Sequence, residues 1–143
     1  MKGKILVFIQ FFLIFLMLLP LGSEVHFLYI GLAFLSIGLL IGFLAISQHR
    51  SGNFNIVPDI KEDCVLVTNG IYAYIRHPMY ASVLLSMLGI VFLYATYYEM
   101  VLFILLSVNM LVKLFYEESL WHCESEEYAL YTKRTKRLIP FIF

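Results

Sequence analysis

Apolar and polar positions along this chain fall in long blocks. Four almost unbroken apolar runs cover residues 5–21, 25–46, 79–98 and 100–116. Each approaches or reaches the roughly 17–25 residues that a helix needs to cross a bilayer. Very short links, Gly22-Ser23-Glu24 and Glu99, join the first run to the second and the third to the fourth. The pattern predicts an all-α, polytopic membrane protein with four transmembrane helices in two hairpins. A polar loop at 47–78, with Gly52, Pro58 and Gly70, and a charged tail at 117–143 remain outside the runs. In the tail, Leu120, Trp121, Tyr128 and Tyr131 sit among Glu, Lys and Arg, which predicts an amphipathic helix on the membrane interface. No repeat, low-complexity stretch or linker marks a second domain, so 1–143 reads as one domain.

Composition agrees with this block pattern. The chain of 143 residues is 62% hydrophobic and 14% charged, where a soluble domain averages about 45–50% and about 25%. Mean hydropathy is +0.87. The ten Lys and Arg residues all lie before the first run, in the 47–78 loop, at the end of the fourth run or in the tail. With an even number of spans, those segments share one side, and the excess of basic residues makes that side the cytoplasm. The opening 24 residues also resemble a secretory signal peptide, with a basic start and small residues near Gly22. Cleavage would put the basic loop and basic tail on opposite sides, so an uncleaved first helix is expected. Cys64 and Cys123 then face a reducing compartment.

Candidate chemistry is concentrated in two polar islands. The first is residues 70–80, GIYAYIRHPMY, at the border of the loop and the third run. Gly70 follows Asn69 and marks a turn. Tyr72, Tyr74 and Tyr80 offer flat faces with hydroxyl tips. Arg76 is a permanent cation, His77 a titratable imidazole, and Pro78 suits the first position of a helix. Anchoring at the headgroup border is a sufficient structural reading of this island. The second island, Glu117-Glu118, lies where the fourth run ends, and anchoring does not explain two carboxylates there. Lys113 sits within that run, its long stem able to snorkel towards the headgroups. His26, His49 and His122 read as structural or interfacial groups. The histidines and cysteines show no metal-ligand spacing, and no glycine-rich phosphate loop or nucleic-acid pattern is present. The basic cluster Lys133, Arg134, Lys136 and Arg137 suits anionic lipid headgroups.

The run LVTNGIYAYIRHPMYASVLLSMLG resembles the signature block of the isoprenylcysteine carboxyl methyltransferase and phospholipid methyltransferase superfamily. The later features follow in the same order: a helical hairpin, Glu117-Glu118, Tyr128 and Tyr131, and a basic stretch ending at Pro140. The resemblance spans roughly residues 53–140. It implies an integral-membrane enzyme using S-adenosylmethionine, with Gly70, Tyr72, Arg76, His77, Tyr80, Glu117 and Glu118 around the cofactor. Lys113 and Arg134 become the expected catalytic, substrate-side cations. Two departures stand out. Lys113 occupies a place where many members carry arginine, and Cys123–Glu127 reads CESEE in place of a phenylalanine-glycine pair. The implied reaction is methyl transfer to a lipophilic small molecule or lipid, foremost a carboxylate of the isoprenylcysteine type. Alternatives are N-methylation of a phospholipid amine, a nicotinamide-dependent sterol-type reductase, and a non-enzymatic membrane protein. The modest length suggests a prokaryotic inner membrane.

Overall fold

A computed structural model describes residues 1–19, 24–48, 57, 66–124 and 126–143. Among these residues five α-helices form: α1 (Lys2–Met17), α2 (Leu28–Ser47), α3 (Pro78–Tyr94), α4 (Tyr97–Glu124) and α5 (Glu126–Arg134). A short 3₁₀ turn, Gly70–Ala73, precedes α3. Among the described residues, strand pairing is limited to one parallel bridge between Ile75 and Lys136. Most of the 47–78 loop, with His49 and Cys64, and the side chain of Cys123 lie outside the described residues.

Among the described residues, two helices are long and apolar enough to cross a bilayer: α2, and α4 over Tyr97–His122. At 16 and 17 residues, α1 and α3 are each about 24–26 Å long at 1.5 Å per residue. α4 has 28 residues, or about 42 Å, well beyond the ~30 Å hydrocarbon core.

The expected boundary between the third and fourth helices is corrected. α3 stops at Tyr94, and Ala95 takes a left-handed backbone with φ of 48°. Thr96 then caps α4, its Oγ1 accepting a hydrogen bond from the Glu99 N–H at 3.2 Å. Glu99 is therefore inside the first turn of α4 instead of in a link, placing its charge at the positive end of the helix dipole. The other end of α4 is corrected too. It runs on past residue 116 to Glu124, because no glycine or proline interrupts the segment. Glu117 and Glu118 thus lie within a helix and not at its end.

The expected pairing of the first two helices also changes. α2 packs along α3 and α1 along α4, while α3 and α4 form the hairpin. The α2–α3 contact is close because small residues face each other. A Cβ on Gly38 would stand 2.3 Å from Ser86 Oγ, and one on Gly89 would stand 2.7 Å from the Gly31 carbonyl. Ser82 Oγ donates to the Gly38 carbonyl at 2.7 Å. Such surfaces let helix backbones approach and maximise dispersion contact. Ten residues separate α1 from α2, and the last of them are tied to α3: the His26 and Phe27 N–H groups donate to Leu93 and Phe92 carbonyls. α1 buries Gly3, Gln10, Leu13 and Met17, a stripe at helical spacing. Leu13 and Met17 join Met87, Ile90, Leu102, Leu106 and Met110 in one core.

Candidate active site

The start of α3, the end of α4 and the tail converge on one polar cluster. Pro78 begins α3, so its missing N–H costs nothing there. Just before it, the backbone of residues 74–77 is laced to the tail. The Arg76 N–H donates to the Lys136 carbonyl at 2.8 Å, the His77 N–H to Arg137 at 3.0 Å, and the Lys136 N–H to Tyr74 at 3.1 Å. The Arg-His-Pro turn and the basic stretch before Pro140 are therefore one local structure.

Glu118 is the electrostatic hub. Arg76 Nε lies 2.9 Å from its Oε1 and Arg137 Nε 2.8 Å from its Oε2. Each carboxylate oxygen thus has its own guanidinium. The Glu118 side chain is 5% exposed, so these charge-assisted bonds form in a low-dielectric setting where they are strong. Arg76 Nη1 also donates to the Thr132 carbonyl at 3.3 Å and to that of Thr135. Glu117 is different. Its side chain is 29% exposed, and it accepts a hydrogen bond from Tyr80 Oη through Oε2. His77 sits between the two acids, Nδ1 4.0 Å from Glu117 and Nε2 3.6 Å from Glu118, stacked on the Tyr80 ring at 5.2 Å. Nε2 is buried without a hydrogen-bond partner, just outside reach of Glu118.

α5 closes over this cluster. It is amphipathic, as expected, but Tyr128 and Tyr131 are buried against protein and Trp121 belongs to α4, stacking on Tyr128 at 5.6 Å. Tyr131 Oη donates to the Tyr72 carbonyl. Burial pushes the Tyr131 phenol up to about 12, and it raises Tyr72 and Tyr128 further, helped by the nearby carboxylates. All three therefore act as neutral phenols at physiological pH. Between α5, the tail and α4 lies a polar cleft of about 350 Å³, lined by Arg76, Glu118, His122, Thr132, Thr135 and Arg137.

Of the residues expected here, Tyr72, Arg76, His77, Tyr80, Glu117 and Glu118 come together. Gly70 has the positive φ, 57°, expected of a turn, but the space beside it is taken by Gln48. A Cβ at Gly70 would lie 2.4 Å from the Gln48 amide, whose Oε1 accepts from the Ile71 N–H. Its close approach is to the end of α2. Lys113 does not snorkel. It is 2% exposed and donates to Gln10 Oε1 at 2.8 Å, with Nζ 4.9 Å above the centre of the Tyr80 ring. Arg134 is exposed at the end of α5 and is not part of the cluster. Arg137, part of the basic stretch that ends at Pro140, takes the inward position instead. Gln10 was missed as well, although an amide in an otherwise apolar run is a signal in itself.

A search of curated proteins finds no match. Residues 25–122 match the model of a family described as phospholipid methyltransferase, and this stretch includes α2, α3, the Arg-His-Pro turn and the Glu117-Glu118 pair. The two apolar helices and this match together point to a methyltransferase of the membrane. With well over half its length covered by that match, the chain belongs to the phospholipid methyltransferase family.

Proposed function

We propose that this protein transfers a methyl group from S-adenosylmethionine to a lipophilic acceptor held in the bilayer. The observation that carries the reading is the convergence of His77, Tyr80, Glu117 and Glu118 on one buried cluster. The residues present fit the cofactor. It carries a sulfonium, an ammonium, a carboxylate and a ribose diol. Aromatic faces such as the stacked His77–Tyr80 pair suit the sulfonium. Glu117, the more open carboxylate, suits the ammonium or diol, and His77 Nε2, 3.6 Å from Glu118 Oε1, is a further polar group at the site. Glu118 has both oxygens engaged and holds Arg76 and Arg137 in place. When bound, the cofactor supplies a methyl group already activated for displacement. The chain's own residues then align the acceptor with that methyl, and the buried tyrosines of α5 exclude water. No covalent intermediate on the protein is required.

We read all four long helices as spans. The positive-inside pattern then puts both termini and the site on the cytoplasmic face, as in a prokaryotic inner membrane. The acceptor reaches the site from the bilayer beside α1, α3 and α4. We favour a carboxylate acceptor because three basic side chains, Arg76, Arg137 and Lys113, stand against the two carboxylates Glu117 and Glu118. The name of the family keeps a phospholipid amine as the second reading.

The test is labelled methyl transfer from S-adenosylmethionine into a total membrane lipid extract. The carboxylate reading expects a base-labile label, since a methyl ester hydrolyses in alkali. A base-stable label moves the acceptor to an amine, and absence of labelled lipid rejects the reading.

A further inference from the structure

Gln10 lies on α1, outside the stretch that matches the family, and its side-chain amide touches Lys113. Both residues are buried, Gln10 at 6% exposure, in helices that are otherwise apolar here. Polar groups inside a membrane bundle are costly and usually serve a purpose. A purely structural tie between α1 and α4 already exists in Asn109, whose Nδ2 donates to the Leu6 carbonyl at 3.2 Å. The Gln10–Lys113 pair adds to that tie a buried ammonium, which a structural link alone does not call for.

The charge pattern around Lys113 is informative. Glu118 is claimed by Arg76 and Arg137. Glu117, one helical turn beyond Lys113, is engaged by Tyr80. Among the described residues no carboxylate lies within ion-pair distance of the Lys113 ammonium. A neutral amide and the face of Tyr80 hold it instead. A glutamate at position 10 would make the same hydrogen bond and cancel the charge. Glutamine fixes the ammonium without cancelling its charge, and at 2% exposure that charge meets an acceptor only where the side chains around it give way.

We infer that Gln10 is a positioning residue that presents Lys113 to an anionic group, carboxylate or phosphate, on the lipid acceptor. The inference rests on the methyltransferase reading above and extends it to the acceptor end of the site. α1 thereby contributes to acceptor selection, and a lipid without an anionic oxygen near the methylated atom is a poor substrate.

The experiment uses the full chain in mixed micelles, with total membrane lipid extract as acceptor probe and calorimetry of S-adenosylmethionine binding in parallel. Gln10→Glu keeps the hydrogen bond and the packing but neutralises the ammonium. It should raise the half-saturating lipid concentration roughly tenfold, the scale of one lost charged hydrogen bond, while the cofactor Kd stays at the wild-type value. Gln10→Leu should lose acceptor affinity in the same direction. Asn109→Leu, which removes the other α1–α4 tie, should leave half-saturation unchanged. Adding Lys113→Met to Gln10→Glu should cause no further loss. Base lability of the product separates the two sources of the anion: a methyl ester marks a carboxylate, and a base-stable methyl-amine lipid marks the phosphate of a phospholipid. An active wild type with unchanged or improved acceptor saturation in Gln10→Glu overturns the inference and leaves the methyltransferase reading standing. A wild type that neither binds S-adenosylmethionine nor labels lipid overturns both.

Discussion

The seam between α2 and α3 and the seam that runs along α4 join helices by opposite means. In the first, small residues set the approach: Gly31, Gly38 and Gly89 meet Ser82, Ser86 and each other so that the backbones come close, with Leu93 and the stacked Phe34–Phe92 pair packed alongside. In the second, α4 presents Asn109, Lys113, Glu117 and Glu118 to α1, α3 and the tail. The small-residue seam gains dispersion contact without burying charge. The polar seam must overcome desolvation at every step, and its net contribution to stability is small even when every partner is present. The difference suits the α2–α3 seam to holding the bundle, and it is the α4 seam that carries the charged groups on which the proposed chemistry rests.

The largest expected effect tests the polar seam at its hub. Glu118→Gln leaves Arg76 and Arg137 facing an uncharged amide in a buried setting. Breaking a buried ion pair in this way costs about 3–5 kcal/mol, so the detergent-solubilised protein should melt far below the wild type. Glu117→Gln, at the more open carboxylate, should change melting little. An equal loss of stability in both variants would erase the distinction between the two acids.

Next comes the apolar seam. Gly38→Ala places a methyl 2.3 Å from Ser86 Oγ, and overpacking of this kind costs about 1–3 kcal/mol. Ile37→Ala, at an exposed neighbour on the same helix, is the control and should melt near the wild type. If Gly38→Ala were the neutral one, the close approach of α2 and α3 would be wrong.

The smallest effect sharpens the role of α5. Tyr131→Phe removes one hydrogen bond to the Tyr72 carbonyl, about 0.5–1.5 kcal/mol. Melting should fall slightly, and cofactor affinity should fall with it if α5 closes the site. Unchanged affinity would make α5 a structural cover only.

That Arg76, His77, Glu117 and Glu118 share one polar cluster was legible in part, because charged groups next to long apolar runs have few places to go. Tyr80 carries no charge, and only the resemblance of the motif grouped it with them. The inward turn of Arg137 in place of Arg134 was not legible, since it depends on the backbone lacing of residues 74–77 to the tail. Nor was the partner of each helix: hydropathy shows that a run is apolar but not which side of it carries the glycines. The start of α4 was readable in principle. Thr96 and Glu99 stand three apart, the spacing of a helix cap, but the apolar run masked it. Hydropathy alone reads α1 as an ordinary span, yet Gln10 breaks its apolar pattern in the sequence itself.

Direct binding of S-adenosylmethionine to the purified full chain, measured by calorimetry in detergent, tests the central claim. The wild type should bind at one site. Glu117→Gln should bind about 10–150-fold more weakly, the range for one charged hydrogen bond, while retaining wild-type melting. A wild type that ignores S-adenosylmethionine and binds a nicotinamide dinucleotide instead would contradict the account and return the site to the reductase alternative.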